Sequence, residues 1–358
     1  MSWGSAMQVN ALRQSLKTAV SAKPSPPAWR GPVLIGVVAL AVAAAGVFGV
    51  GQWHRATPAA PPVARSLTPA ERDAAEAQAG PTGSPLLWVV KTGDATLYLF
   101  GSIHMLRQNL NWMDSRLFQA FDMSDEAWFE LPDLEYQPKF KGFKATAYAS
   151  RPVLLDGLSD LEKHQLETIV NRYNYTLDDL VRVKPSAMAG FISQMDLVAG
   201  GFSVDRGVDY NLFRRAKSLK MKIDGFESNS VHYSYLSDRE APTQAEGTRA
   251  LKQALAAHFG TGVVPDEIHV LSGHWRAGDQ KALTESVNRM AKETPEVYKT
   301  LLVKRNSLWM PRIEAILKGK HRVFATVGVA HLVGPDGLVA QLRARGYEVT
   351  RLDPTPKP

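Results

Sequence analysis

Two apolar runs end in the same four-residue pattern although their histidines lie 227 residues apart: LYLF leads into Gly101-Ser102-Ile103-His104, and VFATV leads into Gly328-Val329-Ala330-His331. The alternation in TLYLF is that of a β-strand. A glycine at the strand end permits a sharp turn and close backbone approach, so that the histidine three residues on folds back over the sheet edge. A third run, Ala127-Trp128-Phe129, ends in Glu130 and is closed by Leu131-Pro132. Each polar residue falls at or just past the carboxyl end of a predicted strand. In α/β sheets that edge is where ligands bind. Only a fold that brings the two ends of this region together can unite the three.

The rest of residues 86–353 fits such a fold. Strands are predicted over Leu86–Lys91 and Ala95–Gly101, joined by the hairpin-type connection Thr92-Gly93-Asp94, and over Ala127–Leu131. Met113–Met123 reads as an amphipathic helix. Residues 137–200 are mostly helical by period, with Ser159–Arg172 opened by the pair Ser159 and Glu162, and with Pro185–Ala199 following. Val208–Leu219 is a helix leading into the strand Met221–Phe226. Residues 240–318 are helical, broken around Gly260–Pro265. The close is a strand over Val323–Val327, a turn carrying His331, a helix over Gly337–Arg345 stopped by Gly346, and a strand over Glu348–Leu352. The expected architecture is one α/β domain whose sheet is built by both chain ends, with a helical middle or cap.

Ahead of it, residues 31–53 form a stretch of 23 residues without a charge. About 20 helical residues cross the hydrocarbon core of a membrane, and Trp53 sits where an interfacial aromatic belongs. Four basic residues precede the stretch (Arg13, Lys17, Lys23 and Arg30). They favour a cytoplasmic tail over residues 1–30, which places the rest of the chain on the periplasmic, extracytoplasmic side of the inner membrane. A single-pass signal-anchor is the expectation, with a cleaved signal peptide as the alternative; the stretch exceeds the usual ~7–15 apolar residues of the latter. Residues 54–85 are rich in Pro and Ala and read as a semi-extended linker, with one short helix opened by Thr68-Pro69-Ala70-Glu71. Residues 354–358 (PTPKP) are a short disordered tail.

The chain has no cysteine, which removes disulfides, Cys-based zinc or iron–sulfur sites and thiol nucleophiles. The formal net charge of +7 is mostly a property of the leader: residues 1–70 hold six basic residues and no acid, whereas residues 71–358 hold 36 basic against 35 acidic. No Lys/Arg run with interleaved aromatics follows, so nucleic acid is not an expected partner.

Two imidazoles and a carboxylate make a plausible ligand set for a divalent transition metal, Mn, Co or Zn, which would polarise a carbonyl or activate water. The expected metal residues are therefore His104, His331 and Glu130, with Glu130 either ligand or general base. The bland alternative is that the histidines cap strands with ordinary hydrogen bonds.

FGSIH followed by Trp112, the helix SRLFQAF and AWFELPDL resembles the opening of the TraB/GumN proteins, which include the Tiki membrane metalloproteases. Lys304-Arg305-Asn306, LWMPRIEAIL and ATVGVAHLVGPDGLVAQLRARGYEV are similar to that family's close, and RGVDYNLFRRAKSLKMKIDGFES resembles its central segment. The likeness spans about residues 86–353. It implies an α/β fold shared with erythromycin-esterase-like and haem-binding ChaN-like proteins. It also implies a metal-dependent peptidase site on His104, His331 and Glu130. One departure is Phe226-Glu227, where the family has Leu-Glu.

Further residues have candidate roles beside these. Arg305 would place a guanidinium near the site to hold a substrate carboxylate or an oxyanion, unless it makes a surface ion pair. Glu227 and Asn306 would orient a histidine from behind, with strand-end placement and helix capping as their plainer roles. Asp209 is explained by the dipole of the helix it opens. His269 and His274, in IHVLSGHW, match no common metal spacing and read as loop histidines. Ser102 lacks the Gly-x-Ser-x-Gly elbow of a serine nucleophile. The functional expectation is a membrane-anchored, metal-dependent hydrolase acting on a peptide or small amide outside the cytoplasm. The alternative is a non-catalytic protein that sequesters a small peptide or a haem-like ligand in the same pocket.

Overall fold

The computed structural model describes residues 83–107, 112–135, 147–228, 243–260 and 266–353. The sheet they form has six strands: β1 (Leu87–Thr92), β2 (Ala95–Ser102), β3 (Glu126–Phe129), β4 (Lys222–Gly225), β5 (Arg322–Gly328) and β6 (Val349–Arg351), in the spatial order β4-β3-β5-β2-β1-β6. β4, β3, β5 and β2 are parallel, so their carboxyl ends share one edge. β1 runs antiparallel to both β2 and β6. The sheet is thus assembled from the two ends of the domain, as the sequence pattern requires. Arg116 binds these ends together, donating to the carbonyls of Pro85 and Leu352.

The central strands are buried on both faces, which accounts for their near-continuous apolar runs. Leu97, Leu99, Phe100, Phe324, Ala325 and Val327 show no exposure. The covering helices are α1 (Ser115–Asp122), α2 (Asp160–Asn171), α3 (Leu177–Leu180), α4 (Pro185–Ala199), α5 (Val208–Ser218), α6 (Gln244–Gly260), α7 (Asp266–Ala277), α8 (Gln280–Glu293), α9 (Pro295–Tyr298), α10 (Arg305–Leu317) and α11 (Leu338–Ala344). α2, α4 and α6 enclose a second core of their own around Leu154, Leu166, Ile192 and Leu251. This is the expected helical middle. Ser159 and Glu162 form the predicted reciprocal cap of α2. A small third cluster, Met105, Leu197 and Phe202 with Ile268 against it, lies beside the carboxyl edge of the sheet.

Some expectations are corrected. Among the described residues no helix is long and apolar enough to cross a membrane. That corrects the anchored architecture for the described part of the chain. The membrane partner and the single-pass inner-membrane placement rested on that architecture and are withdrawn with it. The 31–53 stretch itself, the 1–30 tail, the linker through residue 82 and the 354–358 tail lie outside the described residues, as does the break expected within 261–265. His269 and His274 stand on α7 rather than in a loop, because ITS apolar period continues through them.

Candidate functional site

Each parallel strand delivers one polar residue to the shared edge. Glu227 follows β4, Glu130 follows β3, His331 follows β5 in a 3₁₀ turn (Val329–His331), and His104 follows β2. The backbone continues the pairing past β3 and β4, with Glu227 N–H donating to the Glu130 carbonyl at 3.0 Å. Gly101 is needed at the end of β2 because a Cβ there would stand 2.8 Å from Val329 Cγ2 and 3.2 Å from its Cα. Both Gly-x-x-His turns therefore nest against each other.

The structure places a guanidinium at the centre. α9 runs into a π-helical turn over Lys299–Lys304 and then into α10, which opens with Arg305 and Asn306. A π turn inserts a residue and rotates the following face by about 100°. Here Leu301 and Leu302 line the cavity above the sheet edge, and Arg305 turns onto it. Arg305 Nη2 donates to Glu130 Oε2 at 2.6 Å and to Glu227 Oε1 at 2.5 Å, and Nε donates to Glu227 Oε1 at 3.1 Å. Trp309, one turn on, donates its Nε1–H to Glu227 Oε2 at 3.2 Å and lies under the guanidinium at 4.7 Å.

The remaining Arg305 nitrogen fixes His331. Asn306 Nδ2 donates to the carbonyls of His331 (3.2 Å) and Asp336 (2.9 Å), so its Oδ1 is left as the acceptor 2.7 Å from His331 Nδ1. Nδ1 must then carry the proton. Nε2 keeps its lone pair and accepts from Arg305 Nη1 at 3.1 Å. His331 is thus a neutral imidazole. Burial and the neighbouring guanidinium, outweighing Glu130, pull its pKa down from 6.5 to about 3. Glu130 is held well below the ordinary glutamate value: burial pushes it up, but Arg305 and the Gly328 N–H at 2.8 Å win.

His104 has the opposite environment. Val208 N–H donates to the Ile103 carbonyl at 2.9 Å, which docks the start of α5 beside the first Gly-x-x-His turn. Asp209 Oδ1 then stands 3.0 Å from His104 Nδ1, and Glu130 Oε1 stands 3.7 Å from Nε2. Burial lowers the pKa of His104, but Asp209 and Glu130 outweigh it and raise it from 6.5 to about 9. His104 is an imidazolium at neutral pH, with Nε2–H facing the pocket.

Above this floor lies a cavity of about 210 Å³. Its wall is aliphatic and thioether in character, including Met105, Leu271, Val287, Met290, Leu301 and Leu302. Gly328 forms a hollow where the two meet. The position a Cβ would take on Gly328 is 3.2 Å from Glu130 Oε1, 3.5 Å from His104 Nε2 and 3.7 Å from His331 Cδ2. A single ligand atom fits there within reach of the imidazolium.

The expected trio is therefore brought together. His331 Nε2 lies 3.8 Å and His104 Nε2 3.7 Å from the same oxygen, Glu130 Oε1. Arg305, Glu227 and Asn306 join it. The metal reading is corrected. Among the described residues no group of three or more His, Asp or Glu side chains could hold a metal ion. The chemistry of the donors explains this. Arg305 Nη1 stands at the His331 lone pair, Asp209 stands at His104 Nδ1, and Arg305 already pairs with Glu130. The metal-dependent hydrolase is withdrawn with that cluster.

Asp209 was the residue sequence reasoning undervalued. It opens a helix, so its dipole role explained it fully, and nothing local revealed that α5 begins beside His104. The cavity wall was also unread, since α7, α8 and the π turn contribute scattered apolar residues that look like any core. No curated protein and no solved structure matches the chain. The family model described as the TraB/PrgY/gumN family matches residues 86–351, three quarters of the chain and all six strands, and on that match the chain belongs to the TraB/PrgY/gumN family.

Proposed function

We propose that the domain captures a small ligand that has an apolar body and one hydrogen-bond acceptor, the body filling the cavity and the acceptor entering the Gly328 hollow to meet His104 Nε2–H. One observation carries this reading: Glu130 and His331 at the floor are committed to partners of their own. Both Glu130 oxygens accept charge-assisted bonds, and the His331 lone pair accepts from Arg305. Neither Glu130 nor the His331 lone pair is free to take a proton from water, which supports capture over turnover. Apolar pockets with a few convergent polar groups are the usual form of small-molecule sites. A haem-like occupant needs an imidazole lone pair for its iron, and both histidines have theirs committed.

The test fills the hollow. Gly328 has φ −49°, which alanine adopts without strain. Gly328→Ala should therefore fold while its methyl occupies the acceptor position. With 2-octanone as probe and labelled Met105 and Met290 methyl groups as reporters, the wild-type protein should show saturable shifts and the variant should bind at least tenfold more weakly. Equal binding by both, or no shift in the wild type, overturns the reading.

A further inference from the structure

Ser102 is buried, 2% exposed, and lines the cavity, yet its Oγ has no hydrogen-bond partner among the described residues. Leaving a buried hydroxyl unpaired is unfavourable, so it calls for a partner that occupies the cavity. Its position is set by the sheet: Ser102 pairs with Gly328 across β2 and β5. Residues directly paired on adjacent strands point to the same face about 4.8 Å apart. The hydroxyl therefore stands beside the Gly328 hollow, and the cavity offers a ligand two donors, His104 Nε2–H and Ser102 Oγ–H.

The charges around them restrict the ligand's head group. The Gly328 hollow lies 3.2 Å from Glu130 Oε1. A carboxylate head there would set one anion against another, so an uncharged acyl oxygen is favoured. The wall restricts the tail. Apart from Phe202, Ser272 and Ser286 its side chains are aliphatic or thioether, and methionines at both Met105 and Met290 adapt to a flexible chain. An apolar cavity of about 150 Å³ holds the six carbons of benzene, so about 210 Å³ corresponds to roughly eight carbons.

We infer that the ligand of this pocket is an uncharged medium-chain acyl group, an aliphatic chain of about eight carbons ending in an ester or amide carbonyl, anchored jointly by Ser102 and His104. The inference rests on the capture reading and narrows it to one substrate class.

Five probes test it on the full chain: methyl octanoate, N-methyloctanamide, octanoate, methyl phenylacetate and N-acetyl-leucine amide. The first two should bind at least tenfold more tightly than the other three. Ester against amide then identifies the acyl source, either order being compatible with the class. Ser102→Ala should weaken methyl octanoate about five- to tenfold, the worth of one hydrogen bond. It should leave xenon binding unchanged, since xenon has no acceptor and reports only an intact apolar cavity. Binding of octanoate, the aromatic ester or the leucine amide as tight as that of the octanoyl probes overturns the acyl assignment while leaving capture intact. Unaltered methyl octanoate affinity in Ser102→Ala overturns the role of Ser102. Failure of all five probes overturns capture itself.

Discussion

Arg305 is the residue on which the site's geometry turns. Its guanidinium spans two strand-end carboxylates and an imidazole. Removing one member of a buried ion network leaves the others charged and unpaired, which costs about 3–5 kcal/mol. Arg305→Leu should therefore lower stability by about that much, read as a fall in the midpoint of urea unfolding. Arg305→Lys should recover only part of the loss, because a single ammonium cannot reach Glu130, Glu227 and His331 together as the planar fork does. Asn306 matters by its orientation: two backbone carbonyls hold its amide so that its oxygen faces His331.

At the scale of elements, the site depends on strand ends and helix starts meeting. α10 supplies Arg305 and Asn306 only because the π turn ahead of it rotates them onto the sheet edge. The helical lobe is held by local devices that the sequence announces plainly. Ser159 Oγ accepts from Glu162 N–H while the Glu162 carboxylate accepts from Ser159 N–H at 2.7 Å. Ser159→Ala should destabilise the protein by about 1 kcal/mol, the usual cost of a lost N-cap, with thermal unfolding as the measurement. Ligand affinity should hold, since the cap is not among the residues lining the cavity.

At the scale of the whole molecule, the two histidines bind stability to pH in opposite senses. His104 has a folded pKa of about 9, above its ordinary 6.5, so its stabilisation is complete below about 6.5 and is lost as pH rises through about 9. His331 has a folded pKa of about 3, so its contribution is present above about 6.5 and is lost as pH falls toward 3. Their sum should be greatest near pH 6.5 and decline on both sides. Urea unfolding across that range should show the maximum. His104→Gln should remove the alkaline decline and His331→Gln should flatten the acid one. Ligand affinity should share the alkaline limb, because the donor at Nε2 is lost with the imidazolium.

The sequence by itself determined the elements and the edge. Alternating apolar runs, Gly-x-x-His turns and the Ser159–Glu162 pair encode strands, turns and caps within a few residues, through backbone sterics and local hydrogen bonds, and the strand ends told which side chains would share an edge. The tertiary structure alone decided what those side chains become. Whether His104 is an imidazolium and His331 a neutral acceptor depends on Asp209 and Arg305, which approach from helices 105 and 26 residues away. Charge state is set by distance and burial in the folded state, and no local pattern carries that information. The same two motifs that read as metal ligands therefore fold into an ion-paired floor beneath an apolar cavity.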